Sequence, residues 1–491
     1  MLPTLGFLAI VVLALISLSS RIATRAKKRF QGLRRDTESS KKESNASPGD
    51  LARVVTPAAP AAADISSRSK KNISWFLEKH GRQISRIKAT NPRIDLMTAE
   101  NWLMRGVLVE LYKNHLQNNV SSKSLSYADG LGGDPDLLLE ASRFFNHFFK
   151  SRIPVRPEHI VVGAGCSAIL ENLLHDICEP GDGIMIEVPF WGGFETSFVL
   201  RAAVVAVHVV QVSLTSPSDV FIAAYEEALM SSKRKIKAVI LCNPQNPRCE
   251  VYPREHIEAL LCFCEKHNLH FISDEIYGMS EINLGRTDFL ALPFLSVLEI
   301  DLQMLDVNPA RVHMIYSISK DLGSSGLRLG FIVTQQSDLR LSLAIANHSK
   351  VSTLTSTTMT AVLSNQDILE GIFRNNKLRL STWAKIVVGF LDFHSLEYTR
   401  PVAGVYIWAR LKGPECTWNE ESELNDRLEH AGVSLGAGKS YCARQPGWFR
   451  VTFAVPRPVL YEALRRIENA LGAKKQWKPE DTKLVLSKES I

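Results

Sequence analysis

The sequence predicts an α/β fold, a mostly parallel central sheet with helices on both faces and a smaller α+β domain beside it. Three observations carry this. From about residue 160 to 350, short apolar runs alternate with helix-length segments, the pattern of repeated β–α units. Runs such as Ala238-Val-Ile-Leu-Cys242 contain no polar residue, as strands covered on both faces require. Polar residues and glycines gather just beyond the C-terminal end of each run, the edge at which open α/β sheets bind ligands.

The chain has 491 residues and a 45% hydrophobic composition, enough for one large two-domain protein with extensions. Its formal charge of +7 is concentrated at one end. Residues 1–80 hold 14 of the 58 Lys and Arg but 6 of the 51 Asp and Glu, leaving 44 against 45 for the remainder. A basic surface for nucleic acid is therefore not indicated. Leu2 to Ser20 is uncharged and mostly Leu, Ile, Val and Ala, and Arg21, Arg25, Lys27, Lys28, Arg29, Arg34 and Arg35 follow it. Cations on the C-terminal flank predict a single-pass membrane anchor over residues 1–20, with the folded part facing the cytosol. An organelle-targeting leader is the alternative, since no acidic residue precedes Asp36. Residues 21–71 turn from basic to Ser-, Ala- and Pro-rich and read as a disordered linker. Folded sequence is expected from Asn72, in three blocks: 72–125 and 361–475 forming the smaller domain, 126–360 the larger, with a polar tail over 476–491.

Taken in order, Ile73, Phe76 and Leu77 have helical spacing. Ile94 to Leu103 passes from an extended run to a helix start, with Thr98 or Asn101 as caps. Tyr127 to Pro135 is a glycine-rich loop feeding a helix over Leu137 to Phe149. Ile160-Val-Val-Gly-Ala-Gly-Cys-Ser-Ala168 is a strand running through glycines into a helix, and it presents the amides of Gly165, Cys166 and Ser167 at a helix N-terminus. Gly183 to Phe194 is a strand whose turn carries Trp191; Ala238 to Pro247 is a buried strand ending in two Asn-Pro steps, and Leu269 to Tyr277 is a strand ending in Asp274. An aspartate at that depth needs a cationic or protonated partner. Leu339 to Gly389 reads as helices, Ala403 to Ala409 as a strand, and Arg450 lies in an alternating strand pattern between Phe449 and Val451. A guanidinium there suits a bidentate grip on a carboxylate or a structural ion pair. The eight cysteines form no C-x-x-C pair and no His/Cys cluster at zinc spacing, so reduced thiols and no metal site are expected. Asn-x-Ser sequons at Asn45, Asn72, Asn119 and Asn347 would stay unused on a cytosolic face.

The densest chemistry lies in Ser317-Ile-Ser-Lys-Asp-Leu-Gly-Ser-Ser-Gly-Leu-Arg328, directly after the apolar run Val312 to Tyr316. A single lysine at a strand end, flanked by Ser317, Ser319 and Arg328, matches the needs of pyridoxal phosphate. The amine condenses with the aldehyde while hydroxyls and guanidinium take the phosphate.

With Thr98-Ala-Glu-Asn101, Asn243-Pro-Gln-Asn-Pro247, Asp274-Glu-Ile-Tyr277, the lysine segment and Pro446-Gly-Trp-Phe-Arg450 in this order, the chain from roughly 85 to 475 resembles the class I/II aminotransferases of pyridoxal-phosphate fold type I. Within them it is most similar to the 1-aminocyclopropane-1-carboxylate (ACC) synthase branch and to fungal ACC-synthase-like enzymes of secondary metabolism. The resemblance implies a homodimer acting on an amino acid or amino-acid-like molecule. Lys320 would bind the cofactor and move the Cα proton. Asp274 would hold the pyridine nitrogen, Asn246 and Tyr277 the phenolic oxygen, Trp191 the ring face, and Gly165, Cys166, Ser167, Ser317, Ser319 and Arg328 the phosphate. Arg450 would take the substrate carboxylate, and Glu100 stands where ACC synthases carry a glutamate near the substrate. Three positions depart from the family: Gly130 replaces a tyrosine that reaches the partner subunit's cofactor, with Tyr127 three residues earlier; Asn246-Pro-Arg-Cys249 replaces Asn-Pro-Leu-Gly; and Cys166 replaces a small residue. Transamination is the expected outcome. Elimination by an ACC-synthase-like or carbon–sulfur lyase, and a catalytically inactive scaffold, are the alternatives.

Overall fold

The computed structural model describes residues 64–86, 93–285 and 292–481. The anchor segment 1–20, most of the linker and the tail beyond residue 481 lie outside the described residues. Among the described residues no helix is long and apolar enough to cross a membrane.

The expected sheet is present. Its strands are β2 (Ile160–Gly163), β3 (Gly183–Val188), β4 (Val205–Val210), β5 (Ile236–Cys242), β6 (His270–Asp274), β7 (Val312–Ser317) and β8 (Gly330–Thr334), following the short β1 (Ile94–Asp95). Their spatial order is β2-β8-β7-β6-β5-β3-β4. The neighbours from β4 through β7 run parallel, and β8 is antiparallel to both β7 and β2. Alternate residues of each strand enter different cores: Val239, Leu241, Phe271 and Met314 one, Ala238, Ile240, Ile272 and Ile315 the other. Burial on both faces is why these runs are apolar throughout rather than alternating.

The smaller domain is an antiparallel sheet ordered β12-β13-β10-β9, from β9 (Glu397–Tyr398), β10 (Tyr406–Arg410), β12 (Gly436–Ala437) and β13 (Trp448–Thr452). β11 (Val433–Ser434) pairs in parallel with β1. The helices Trp418–His430 and Arg457–Leu471 bury Leu424, Leu428, Leu460, Leu464 and Ile467 in this domain's core.

Four expected boundaries shift. The first described helix is Ser67–Arg86, starting inside the expected linker because Ser66 Oγ accepts the Ser69 amide (3.2 Å), an N-terminal cap. The stretch near residue 98 is not a helix start. Asp95 gathers the Met97 and Thr98 amides at 2.8 and 2.9 Å, Asn101 turns inward, and the helix begins at Arg105. Block 72–125 also divides: Leu96, Ala99 and Leu103 join the small-domain core, whereas Met104 and Leu108 join the large one. A 28-residue helix, Gln366–Phe393, is shared in the same way, with Leu369, Ile372 and Phe373 in the large core and Leu380 onward in the small.

Candidate active site

At the C-terminal edge of the parallel strands, the two domains enclose a cavity of about 420 Å³. β5 ends at Cys242, β6 at Asp274 and β7 at Ser317, just before Lys320, so each strand delivers a side chain to one wall. The walls include Cys166, Ser167, Trp191, Asn246, Asp274, Tyr277, Ser319, Lys320, Arg328 and Arg450, and thus bring together most of the residues singled out from sequence.

Lys320 is the amine of this cavity. Its Nζ donates to the Ala99 carbonyl, and its pKa is pulled down to about 8 by burial and by the nearby Arg450 charge. Its main chain is held separately: Asn101 Nδ2 donates to the Lys320 carbonyl (3.2 Å) and to Asn376 Oδ1 (2.8 Å). The adjacent Asp321 is buried and accepts from Ser280 Oγ (2.5 Å) and the Met279 amide (2.9 Å).

Asp274 is buried at the floor, and its carboxylate accepts from the Ile276 amide at 3.3 Å. Burial raises its pKa to about 7. No cationic side chain forms an ion pair with it among the described residues, a costly arrangement for an acid unless a ligand meets it. Its neighbour Glu275 faces away and is satisfied by Ser273 Oγ (2.9 Å), Ser296 Oγ (2.6 Å) and the Val297 amide (2.7 Å). One acid of the Asp-Glu pair is thus structural.

Arg450 sits on β13, 3% exposed, between the rings of Tyr406 and Tyr441, 4.8 and 5.1 Å from their centroids. It donates to Asn246 Oδ1 (2.9 Å) and to the Met97 carbonyl (2.5 Å). No carboxylate pairs with it among the described residues, so the structural ion-pair reading does not hold. Its buried Nε has no hydrogen-bond partner among the described residues.

The Trp191 ring forms a side wall. Gly193 is required beneath it, because a Cβ there would enter the indole ring. At the other end the helix Cys166–Ile177 points its N-terminus at the cavity. Arg328 donates from both terminal nitrogens to the Ser325 and Ala164 carbonyls, each at 2.8 Å. Gly165, at φ +89°, leaves the space this guanidinium occupies.

Several expectations change. Ser317 and Gly165 are not on the cavity wall. Ser317 is fully buried, donating to the Leu329 carbonyl (2.7 Å) and accepting the Ser319 amide (3.2 Å); it shapes the turn that presents Ser319 and Lys320. Glu100 is off the wall too, bonded to Ser325 Oγ (2.5 Å) and Arg105 (2.8 Å). Burial opposes its charge, but these two donors hold its pKa below the usual range. Tyr127 is 85% exposed and lines a separate crevice with Gly130. Conversely, Tyr441, Ser440, Met97 and Ile276 line the cavity without having been singled out. Ile276 is the apolar member of the Asp274-Glu-Ile-Tyr277 motif, whereas Met97, Ser440 and Tyr441 lie in loops and turns outside the quoted motifs; Tyr441 closes the short turn Gly438–Tyr441.

The donor set fits pyridoxal phosphate: a cavity amine, a buried acid lacking a cation, an aromatic wall, and a helix N-terminus with a hydroxyl and a guanidinium for an anion. Comparison with known proteins gives the same assignment. Residues 110–467 match the family described as aminotransferase class I and II. The probable aminotransferase gliI of Aspergillus fumigatus is 51% identical over 84% of this chain and 97% of its own length. The 1-aminocyclopropane-1-carboxylate synthase-like protein 1 of Homo sapiens is 29% identical, covering 84% of each chain. A Thermus thermophilus aspartate aminotransferase double mutant superposes with a TM-score of 0.66 at 21% identity, over 83% of this chain and all of that one, which shows the fold. This chain belongs to the class I and II aminotransferases, a pyridoxal-phosphate-dependent family.

Proposed function

We propose that this protein is an aminotransferase that takes the amino group from an amino acid, or an amino-acid-like intermediate of secondary metabolism, and passes it to a 2-oxo acid. The observation that carries this is the convergence of an amine (Lys320), a buried acid (Asp274) and a buried guanidinium (Arg450) on one cavity, the last two without a charged partner among the described residues.

Bound pyridoxal phosphate supplies an aldehyde for amines and a protonated ring that withdraws electrons. Arg450 takes the substrate carboxylate through its planar N–H pair, with Asn246 and Tyr441 fixing the guanidinium. Lys320 Nζ, with a pKa near 8, is poised to accept the Cα proton as free amine and return it as ammonium. Asp274 carries the negative charge that keeps a ring nitrogen protonated. Arg328, Ser319, Ser167 and the first amides of the Cys166 helix hold a phosphate. The Met97–Ala99 segment and Tyr441 line the cavity from the small domain, where they would shield the reacting atoms from water. Exposed Val107, Leu116, Val120 and Leu125, on or beside the Arg105–Asn119 helix, support the homodimer reading.

The deciding experiment is a half-reaction on the cofactor-loaded protein against a panel of amino acids, cysteine S-conjugates and S-adenosylmethionine. The expected result is one equivalent of 2-oxo acid per active site, then arrest until a second 2-oxo acid restores the starting spectrum. Continued release of ammonia with thiol or ACC would replace transamination with elimination. Arg450→Lys keeps the charge but loses the fork. Its KM for the amino substrate is expected to rise about 30-fold, on roughly 2 kcal/mol of lost charge-assisted bonding. A fall in kcat at unchanged KM would assign Arg450 elsewhere.

A further inference from the structure

Behind the Trp191 wall, three side chains from separate elements face a common point. Glu195 lies on the short helix Gly193–Ser197 that follows Trp191. His208 is on β4, and Cys442 follows the turn that places Ser440 and Tyr441 on the cavity wall. A carboxylate oxygen, an imidazole nitrogen and the thiol sulfur lie within 4.8 Å of one another. The His208 ring packs against Phe190, with centroids 5.5 Å apart at 67°. Neither the His208 ring nor the Cys442 thiol has a hydrogen-bond partner among the described residues. A cation already attends the cluster: Lys79 Nζ contacts Glu195 Oε2 at 2.9 Å, with the lysine side chain 44% exposed.

We propose that Glu195, His208 and Cys442 bind one divalent metal ion of the zinc class, with water completing a tetrahedral shell and the Lys79 ammonium withdrawing to solvent. Carboxylate, neutral imidazole and thiolate form a donor set for such an ion. On binding, the Cys442 S–H bond breaks, sulfur gives its electron pair to the metal and the proton leaves to solvent, with no change of oxidation state. Modest side-chain shifts bring the donors to the bond lengths of 2.0–2.3 Å, on the order usual for zinc.

The site has a structural consequence. Trp191 on the large-domain turn and Tyr441 on the small-domain loop are opposite parts of the same wall, already joined by the Phe190 amide to the Tyr441 carbonyl (2.9 Å). A metal on Glu195 and Cys442 adds a second clasp there. The bound ion would hold the cavity mouth and slow exchange of small molecules through it. The ligands are dispersed over residues 195, 208 and 442, which is why no metal spacing is visible in the sequence.

Equilibrium dialysis of the full-length, cofactor-loaded protein against Zn²⁺, followed by zinc-edge X-ray absorption, tests this. One equivalent with one sulfur neighbour is expected. Cys442→Ser and His208→Gln are each expected to weaken uptake by at least about 100-fold. Lys79→Ala is expected to tighten it about tenfold by removing the competing charge, a gain that damage to the fold does not produce. Cys262 is the exposed thiol among the described residues, so Cys262→Ser serves as the control. The proposal is overturned if no zinc binds, if uptake follows Cys262 rather than Cys442, or if Lys79→Ala leaves affinity unchanged or lower.

Discussion

Lys320→Ala is expected to abolish covalent attachment of pyridoxal phosphate and to lower turnover by at least about 10⁴-fold, since the variant loses both the attaching nucleophile and the proton carrier. Borohydride reduction followed by peptide mass analysis reads the first effect directly: the parent protein is marked at Lys320 and the variant is unmarked. The fold is expected to survive. The Lys320 backbone is held by Asn101, and Asp321 is held by Ser280 and Met279, none of which requires the side chain. Truncation leaves the Ala99 carbonyl without its donor, a cost of about 1–3 kcal/mol, but it also removes a charge that burial disfavours. The melting temperature of the cofactor-free variant is therefore expected to stay within a few degrees of the parent. The parent's rate of cofactor attachment is expected to rise with pH through about 8 and then level, because burial and Arg450 bring the amine to that value and only its deprotonated form attacks. Label on a different lysine, or turnover retained by the variant, would remove Lys320 from the role proposed for it.

The particular residues show what sequence can and cannot carry. Strand positions were legible because burial on both faces forces apolar runs: β5 and β7 are nearly invisible to solvent and end where the polar residues begin. Lys320, Asp274, Asn246 and Arg450 were legible for a related reason. Each is a costly residue to bury, set against an apolar strand, so its presence there calls for a chemical explanation. Ser317 and Glu100 show the limit. They lie within or beside the same motifs, but whether a hydroxyl or carboxylate faces the cavity depends on turn geometry and on partners distant in sequence, Leu329 for one and Ser325 for the other. Tyr441 shows the converse: a small-domain turn brings it to the cavity, and no periodicity encodes that approach. The shared helix Gln366–Phe393 hides a boundary in the same way, since its apolar face is continuous while the cores it enters are different.

Asp274→Asn is expected to move stability and activity in opposite directions. In the cofactor-free protein Asp274 is buried without a cation, and burial raises its pKa from 3.8 to about 7. An acid whose folded pKa exceeds its unfolded value binds more protons when folded. It therefore lowers stability progressively as pH rises from about 4 to about 7, by an amount of order a few kcal/mol. Asparagine has nearly the same shape and no charge, so the cofactor-free variant is expected to be more stable than the parent at neutral pH. The difference should vanish near pH 4, as parallel thermal melts would show. With cofactor bound the sign reverses. The carboxylate that meets a protonated ring nitrogen is gone, and both cofactor affinity and turnover are expected to fall, turnover by about 10³-fold. Lys320 should still be marked by borohydride, which separates this loss from that of the attaching amine. If Asp274→Asn instead destabilised the cofactor-free protein and left turnover intact, the aspartate would be a structural acid like its neighbour Glu275, and the electrostatic role assigned to the cavity floor would have to move elsewhere.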